Sequence, residues 1–309
     1  MIDFVGQKRW FFLISWILVI IGIASLIVSQ IQLGTPLRLG TDFAGGTSMT
    51  LQFSPAVEQS RLREEMAKLG HDKATIQNAG EGNFIIHTEE ITSDEAQELA
   101  EELAAALNAQ VEVVDYYLAS ATVGATTARS AVIAVIVASV AMLLYIVWAF
   151  RRMPKSFRWG SCAVIALVHD VFITVGIFSL LGLLAGVEID ALFITGLLTI
   201  VGYSINNIVV VFDRIRENKA RGISSDFGVT VNSSIVETLG RCLNTSLTTL
   251  FVILALFLFG GATIHNFVLV LLLGVIIGTY DSICVAGPLL VVWEKGEWSS
   301  LVPWAKRPA

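Results

Sequence analysis

Six long apolar runs limit what this 309-residue chain can fold into. Each run is near or above the roughly 18–20 residues that an α-helix needs to cross a hydrocarbon core about 30 Å thick. Only 15% of the residues are charged, against about 25% in soluble domains, which excludes an ordinary water-soluble enzyme. The sequence therefore predicts an α-helical polytopic membrane protein, with six transmembrane helices at residues 11–28, 130–150, 160–186, 191–212, 244–261 and 267–293.

The distribution of Lys and Arg predicts the orientation of these helices. Basic residues lie before the first run, between the second and third, between the fourth and fifth, and after the sixth. The short loops at 187–190 and 262–266 contain none. Because cytoplasmic loops carry the excess of Lys and Arg, both termini are predicted to be cytoplasmic. The first run exceeds the 7–15 residues or so of a signal-peptide core, so we expect it to be retained.

The runs divide the chain into four predicted segments. Residues 1–29 form the cytoplasmic N-terminus and transmembrane helix 1, and residues 30–128 an exported (periplasmic) domain. Transmembrane helices 2–6 follow at 129–293, with a cytoplasmic tail at 294–309. The exported segment holds 15 Asp and Glu against five Lys and Arg, a charge of −10 within a net −6. A negative chain does not neutralise phosphates, which disfavours a nucleic-acid partner.

The exported segment has a legible α+β pattern. Ser54 before Pro55 is typical of a helix N-cap followed by its first residue. Gly80-Glu81-Gly82 is typical of a hairpin turn, and Thr92 to Glu95 forms a capping-box pattern. The predicted order is strand 47–53, helix 55–69, strand 74–78, strand 83–88, helix 93–108 and strand 110–117. This βαββαβ order predicts a small ferredoxin-like domain, which by itself names no function.

Metal or redox chemistry finds little support in this segment. His71 and His87 are isolated from other ligand types, so we expect ordinary surface or edge histidines. All three cysteines, at 162, 242 and 284, lie in or beside the apolar runs, which excludes a disulfide framework.

Two carboxylates and one histidine lie inside the apolar runs: Asp170, Asp281 and His169. A charged side chain in hydrocarbon costs from about 2.5 to over 10 kcal/mol, so such residues normally face a bundle interior or a water path. Asp281 shares a helix face with Gly274 and Gly278, small residues that allow close helix approach. Asp170 likewise shares a face with Ala166 and Thr174. Two interpretations remain open: structural carboxyls held by hydrogen bonds, or a proton-carrying or gating role.

The fourth and fifth runs add polar candidates. Asn206 lies on one stripe with Thr195 and Thr199, and Asn207 follows it. An amide can relay hydrogen bonds but cannot carry a proton. Arg241, placed just before the fifth run, serves either as an interfacial anchor or as part of the site.

Four motifs resemble the SecD/SecF family of protein-export membrane proteins, specifically its SecF branch. They are the segments 40–47, 168–171, 202–218 and 241–249. The first includes Asp42, Phe43, Gly45, Gly46 and Thr47, and opens the exported domain in the family. The resemblance covers nearly the whole chain, and the long motif at 202–218 is highly specific.

The resemblance implies a subunit that assists SecYEG-dependent protein translocation in the bacterial inner membrane, using the proton motive force. The implied partners are SecD, the SecYEG translocon, YajC and the translocating polypeptide, without a cofactor or metal. The alternative is a half-unit of a proton-driven small-molecule or lipid exporter of the same resistance-nodulation-division superfamily. A membrane enzyme is disfavoured, because His169 and Asp170 should point to different sides of their helix with no nucleophile beside them.

One departure from the family pattern concerns charge. Family members usually have Asp at the position of Asn207, where it is a candidate proton carrier, and Ser at the position of Asp281. We hypothesise that Asp281 replaces the lost carboxylate, with Arg241 as its partner. The rival hypothesis is that proton movement uses only the carboxylates of SecD.

Overall fold

The computed structural model describes residues 2–151, 153, 155–261 and 263–301, with only the backbone described at Ala121 and Ser300. Arg152, Ala262 and residues 302–309 therefore lie outside the described residues. Residues 302–309 make up half of the predicted cytoplasmic tail at 294–309. The described part contains six helices long and apolar enough to span a membrane. They are α1 (Lys8–Leu33), α5 (Ala121–Ala149), α6 (Ser156–Ala185), α7 (Ala191–Arg221), α8 (Phe227–Phe259), and a composite helix over 265–295.

The composite sixth helix changes its geometry partway along. It consists of α9 (His265–Asp281), a π-helical turn (Ser282–Ala286) and α10 (Gly287–Lys295). Pro288 cannot donate a hydrogen bond to the carbonyl of Cys284, and its ring crowds that carbonyl. We attribute the wider turn to this proline, since π turns are one way a helix absorbs such a defect. Asp281 is the last residue before the π turn, at its entrance.

Helices α7 and α8 extend well beyond the predicted spans. The link between them is only residues 222–226, where Asp226 caps α8 by accepting from the Gly228 amide at 2.6 Å. Hydropathy alone underestimated the length of α8, because the first four turns of this helix are amphipathic and bury residues such as Val231 and Ile235. Arg241, which precedes the fifth apolar run, therefore lies in the middle of α8.

The domain predicted to be exported, which we refer to as the exported domain, has the predicted βαββαβ order. Its strands are β1 (Gly46–Ser54), β2 (Thr75–Gly80), β3 (Asn83–Thr88) and β4 (Gln110–Ala119), and its helices are α3 (Gln59–Lys68) and α4 (Ser93–Leu107). The strands form an antiparallel sheet in the order β2-β3-β1-β4. One face of the sheet packs on the helices through a core that includes Leu51, Phe84 and Leu103. The architecture is a helical membrane part with a ferredoxin-like insertion after its first span.

The two helix starts predicted in this domain had different outcomes. The capping box at Thr92 is present, with the Thr92 hydroxyl accepting from the Glu95 amide and Glu95 accepting from the Thr92 amide. The start predicted at Ser54 and Pro55 is wrong, because Ser54 is the last residue of β1 and pairs with Gln110. Helix α3 instead begins at Gln59, after Glu58.

Candidate functional site: a buried carboxylate cluster

Three ionisable side chains from two membrane helices meet inside the bundle. His169 and Asp170 lie on α6, and Asp281 lies at the end of α9. Nδ1 of His169 is 3.1 Å from Oδ1 of Asp281 and 4.0 Å from Oδ1 of Asp170. The Asp281 side chain is completely buried, and that of Asp170 is 1% exposed. We refer to these three residues as the carboxylate cluster.

Helix α7 supplies the third wall of this cluster. The Ser204 hydroxyl donates to Oδ2 of Asp170 at 2.5 Å. Gly278 allows this contact, because a Cβ there would lie 3.0 Å from the Ser204 Cβ and 3.5 Å from Oδ2 of Asp170. Ala166 and Thr174 are buried beside Asp170, as their shared helix face predicted. Small residues on α9 thus bring α6, α7 and α9 close enough to enclose the cluster.

His169 and Asp170 were predicted to point to different sides of their helix, and they contact different neighbouring helices. Although successive helical positions diverge, His169 projects towards α9 while Asp170 projects towards α7, so both reach the same three-helix junction. No local pattern shows this arrangement, because it depends on α6 packing against α9. The sequence identified all three residues but did not predict their proximity.

The chemistry of the cluster follows from its unmet hydrogen-bonding capacity. Oδ1 of Asp170, both carboxylate oxygens of Asp281 and both ring nitrogens of His169 have no hydrogen-bond partner among the described residues. Buried carboxylates in a medium of low polarity are stable only when protons or cations neutralise them. His169, Asp170 and Asp281 each offer one ligand atom, and these three atoms lie within 4.8 Å of one another, close enough for a shared metal ion. The cluster therefore has the ligand groups and spacing of a site for a small cation, of which the proton is the simplest.

A second polar group adjoins this cluster and includes Asn207. The Ser246 hydroxyl oxygen on α8 accepts from Thr279 of α9 at 2.7 Å and from Tyr203 of α7 at 3.0 Å. The Asn207 amide also donates to it, at 3.4 Å. Asn207 is 2% exposed and lies one helical turn after Ser204. The position at which the family resemblance leads us to expect a carboxylate is thus occupied here by a buried hydrogen-bonding amide.

The remaining membrane candidates face outwards. Asn206, Thr195 and Thr199 lie on an exposed stripe of α7, as the spacing predicted. Arg241 is exposed on α8 and lines a cleft of about 270 Å³ with residues such as Asp213 and Glu237. Among the described residues, the ion-pair partner of Asp281 is His169. The structure does not bring Arg241 to Asp281.

The segment 41–47 joins the exported domain to the membrane helices. Asp42 and Phe43 lie in a one-turn helix, α2 (Thr41–Ala44). Oδ2 of Asp42 accepts from the Ala191 amide at 2.9 Å, at the start of α7, where a negative charge also suits the helix dipole. Phe43 is buried in a cluster that includes Phe178 and Phe193.

The two glycines and the threonine of this segment hold the start of the sheet. Gly45 has a φ of 79° and Gly46 a φ of 113°, and a Cβ on Gly46 would overlap the Thr88 carbonyl. Only glycine fits comfortably at such positions. Thr47 donates to the Ile91 carbonyl at 2.9 Å and accepts from the Ile91 amide at 3.0 Å. The motif therefore acts as a structural joint.

The acidic N-cap residues of α7 and α8 have different environments. Asp190, the N-cap, accepts from the Phe193 amide at 2.8 Å. Burial raises the pKa of the Asp190 carboxyl, and the nearby Asp42 charge raises it further. At the opposite end of the membrane part, a hydrogen bond from Lys295 lowers the pKa of Asp226.

Comparison with family models and known proteins identifies two matching segments. Residues 31–57 match the SecD/SecF GG motif, and residues 99–296 match the C-terminal model of protein export membrane protein SecD/SecF. The chain is 40% identical to a protein translocase subunit SecF of Thermobaculum terrenum, over 96% of each chain. It is 39% identical to the one of Anaerolinea thermophila, over 100% of this chain and 98% of that one.

Solved structures give the same relationship. The chain matches the crystal structure of SecDF, a translocon-associated membrane protein from Thermus thermophilus, with a TM-score of 0.82 and 33% identity. A super-membrane-facing form of SecDF matches with a TM-score of 0.69. The first match covers 95% of this chain but only 39% of the SecDF chain. The chain thus spans well under half of the length of that solved protein. It spans nearly the full length of the two SecF relatives named above.

Proposed function

Because this chain belongs to the SecD/SecF family of protein export membrane proteins, we propose that it is the SecF-type subunit of a SecD/SecF complex. This complex would assist SecYEG-dependent translocation across the bacterial inner membrane, driven by the proton motive force. The observation that carries the proposal is the match along 96–100% of the chain to relatives named protein translocase subunit SecF. The expected role is a multi-pass transport subunit without an enzymatic reaction of its own.

The partner that the proposal needs is a second six-span half. The chain corresponds to 39% of the SecDF chain, so SecD would supply the rest. The exposed stripe of Thr195, Thr199 and Asn206 on α7 supports a helical partner, because polar side chains facing hydrocarbon promote helix association. The exported domain also has a free edge strand, β4, with Val114, Tyr117 and Leu118 exposed. We assign these surfaces to SecD, and contacts with YajC and SecYEG to the assembled complex.

Within this subunit we propose that the carboxylate cluster carries the proton. Asp281 would replace the family carboxylate missing at Asn207, with His169 rather than Arg241 as its neighbour. Oδ1 of Asp170 and both carboxylate oxygens of Asp281 accept no hydrogen bond from the described residues, which supports this role, since a purely structural carboxyl is normally held by hydrogen bonds. The half-exporter alternative is not favoured, because the relatives that match the whole chain are named SecF.

Co-purification tests the proposed complex. We expect the chain, extracted in a mild detergent from cells that express SecD, to be recovered with SecD. Its depletion should slow proton-motive-force-dependent export of a secretory precursor into membrane vesicles. Recovery of the chain alone, together with unchanged export after depletion, would contradict the proposed function.

Asp281→Asn tests the proton-carrying role. The amide keeps the shape of the side chain but cannot bind and release a proton at neutral pH. We expect proton-dependent export to fall while the complex still assembles. Asp213→Asn, at an exposed carboxylate on α7, is the matched control and should leave export unchanged. Unchanged export in Asp281→Asn would favour proton movement through SecD alone.

A further inference from the structure

The carboxylate cluster has the composition of a binding site for a divalent transition-metal ion. We propose that His169, Asp170 and Asp281 bind such an ion, with Zn²⁺ as the reference, and that the bound ion blocks the proton-carrying role of this subunit. The block rests on the proposed function, whereas the binding does not. The ion would be an inhibitor and not a resident cofactor.

The ligand types in the cluster select the class of ion. The cluster offers one imidazole nitrogen and two carboxylates, with one ligand atom from each residue. Mg²⁺ and Ca²⁺ prefer oxygen ligands alone, whereas imidazole suits Zn²⁺ and other transition-metal ions. Three protein ligands are also typical of zinc sites that keep one coordination position open for water. The cluster therefore favours Zn²⁺ over the more abundant alkaline-earth ions.

The spacing of the ligand atoms fits this coordination. Zinc bonds of about 2.0–2.2 Å place neighbouring ligands of a tetrahedral site about 3.3–3.6 Å apart. Nδ1 of His169 lies 3.1 Å from Oδ1 of Asp281 and 4.0 Å from Oδ1 of Asp170, on either side of that range. Small side-chain shifts would therefore complete the site without moving the helices.

Helix α7 orients Asp170 as a ligand. The Ser204 hydroxyl donates to Oδ2 of Asp170 at 2.5 Å. Oδ1, the oxygen nearer His169, has no hydrogen-bond partner among the described residues. Carboxylates that bind metals are usually held by hydrogen bonds from neighbouring groups, which fix their direction. One oxygen of Asp170 is thus anchored, and the other is left for an ion.

Charge and burial favour a divalent over a monovalent metal ion. Asp281 is completely buried and Asp170 is 1% exposed, and among the described residues the ion-pair partner of both is His169. Two ionised carboxylates beside a neutral imidazole carry a charge of −2. One divalent ion neutralises this charge, whereas one Na⁺ leaves a net charge in a medium of low polarity. The divalent ion would occupy the oxygens that the proposed function assigns to the proton, so the two exclude each other.

The metal content of the purified full chain tests the binding. The chain is purified in a mild detergent through a histidine-free affinity tag, incubated with ZnCl₂ and excess MgCl₂, and separated from loose metal by gel filtration. By plasma mass spectrometry, we expect about one zinc ion more per chain than in His169→Gln or Asp281→Asn. His265→Gln is the matched control, because His265 begins α9 and Asp281 ends it. This control should retain the zinc.

Cobalt gives a spectroscopic readout of the same site. Co²⁺ takes the place of Zn²⁺, and its visible absorption bands report the number and type of its ligands. We expect these bands in the unmodified chain and in His265→Gln, but not in His169→Gln or Asp281→Asn. Equal zinc in the unmodified chain and both cluster variants would overturn the proposal. Failure of the unmodified chain to retain zinc would also overturn it, whether or not the variants fold.

Precursor export into inverted vesicles tests the block. Zn²⁺ should lower the part of export that depends on the proton gradient several-fold, and EDTA should restore it. The part that persists after an ionophore dissipates the gradient is the internal control and should not change. Equal loss of both parts, or bound zinc with unchanged proton-dependent export, would overturn the block. Export that does not depend on the chain at all would reject the proposed function, while the metal content would still decide the binding.

Discussion

Asn207 and Asp281 belong to one polar region, although they lie on different helices. Asn207 donates to the Ser246 hydroxyl, which also accepts from Thr279, two residues before Asp281. Both side chains are buried. A carboxylate at residue 207 would lie where α7, α8 and α9 meet, next to the junction of α6, α7 and α9 that holds Asp281, which makes an exchange of position chemically reasonable.

This exchange predicts that a carboxylate at residue 207 rescues the loss of Asp281. In an Asp281→Asn background, Asn207→Asp should restore a measurable part of proton-dependent export, because it returns a buried carboxylate to the Ser246 hydrogen bonds. Asn206→Asp is the matched control, since Asn206 is exposed on the other side of α7. The measurement is precursor export into inverted vesicles with and without a proton gradient. Equal rescue by both variants, or by neither, would count against the exchange.

The residues of the cluster could be identified from the sequence, but their geometry could not. Asp170, Asp281 and His169 stand out because ionisable groups are rare in apolar runs. That His169 contacts Asp281 rather than pointing away depends on α6 packing against α9, two helices that are distant in sequence. The proposed pairing of Arg241 with Asp281 is not formed among the described residues, because Arg241 is exposed on α8 and lines a separate cleft with Asp213 and Glu237.

At the level of single elements, a local signal predicted structure only where no tertiary contact competed with it. The capping box at Thr92 forms as predicted, because the hydrogen bonds that Thr47 makes to Ile91 just before it are compatible with the extended conformation of a cap at Thr92. The similar signal at Ser54 fails, since strand pairing with Gln110 holds that residue extended. The βαββαβ order was predictable because each strand and helix has its own period and turn residues.

The cap at Thr92 gives a stability prediction for α4. Thr92→Ala removes the hydroxyl that accepts from the Glu95 amide and should destabilise the exported domain by about 1 kcal/mol. Faster hydrogen exchange of the α4 amides in the full chain would report the loss. Gln97→Ala, exposed in the same helix, should leave the exchange rates nearly unchanged. Equal exchange in the two variants would mean that the cap contributes little.

Close packing of α9 on α7 predicts opposite effects for two glycines. A Cβ at Gly274 would overlap the side chain of Ile200, whereas a Cβ at Gly202 meets nothing within 4 Å. Gly274→Ala should therefore lower the stability of the purified chain by about 1–3 kcal/mol through overpacking. Gly202→Ala should maintain or raise it, because alanine favours helix by about 1 kcal/mol. Thermal unfolding in detergent compares them, and a stable Gly274→Ala variant would indicate that Ile200 has room to move.

For the whole molecule, labelling of introduced cysteines can test the predicted orientation, because the native thiols are buried. Cys162, Cys242 and Cys284 are all buried, so a membrane-impermeant maleimide should label the unmodified chain poorly. Ser60→Cys, exposed in the exported domain, should react when the reagent reaches the periplasm of intact cells. Ser225→Cys, exposed between α7 and α8, should react only after the membrane is opened. The reverse pattern would invert the orientation predicted from Lys and Arg.

The polar stripe of α7 faces either lipid or a partner helix, and the two roles predict different effects of apolar substitutions. In an isolated subunit, exposed Thr199 and Asn206 would face lipid, where apolar side chains are more stable. Thr199→Leu with Asn206→Leu should therefore maintain or raise the thermal stability of the purified chain. If the stripe binds SecD, the same variant should weaken association by about tenfold, roughly 1.4 kcal/mol, measured as SecD recovered at fixed dilution. Val132→Leu with Val140→Leu, on the exposed face of α5, controls for altered lipid contact. Undiminished SecD recovery would show that this face meets lipid, and SecD would then have to bind another surface of the bundle.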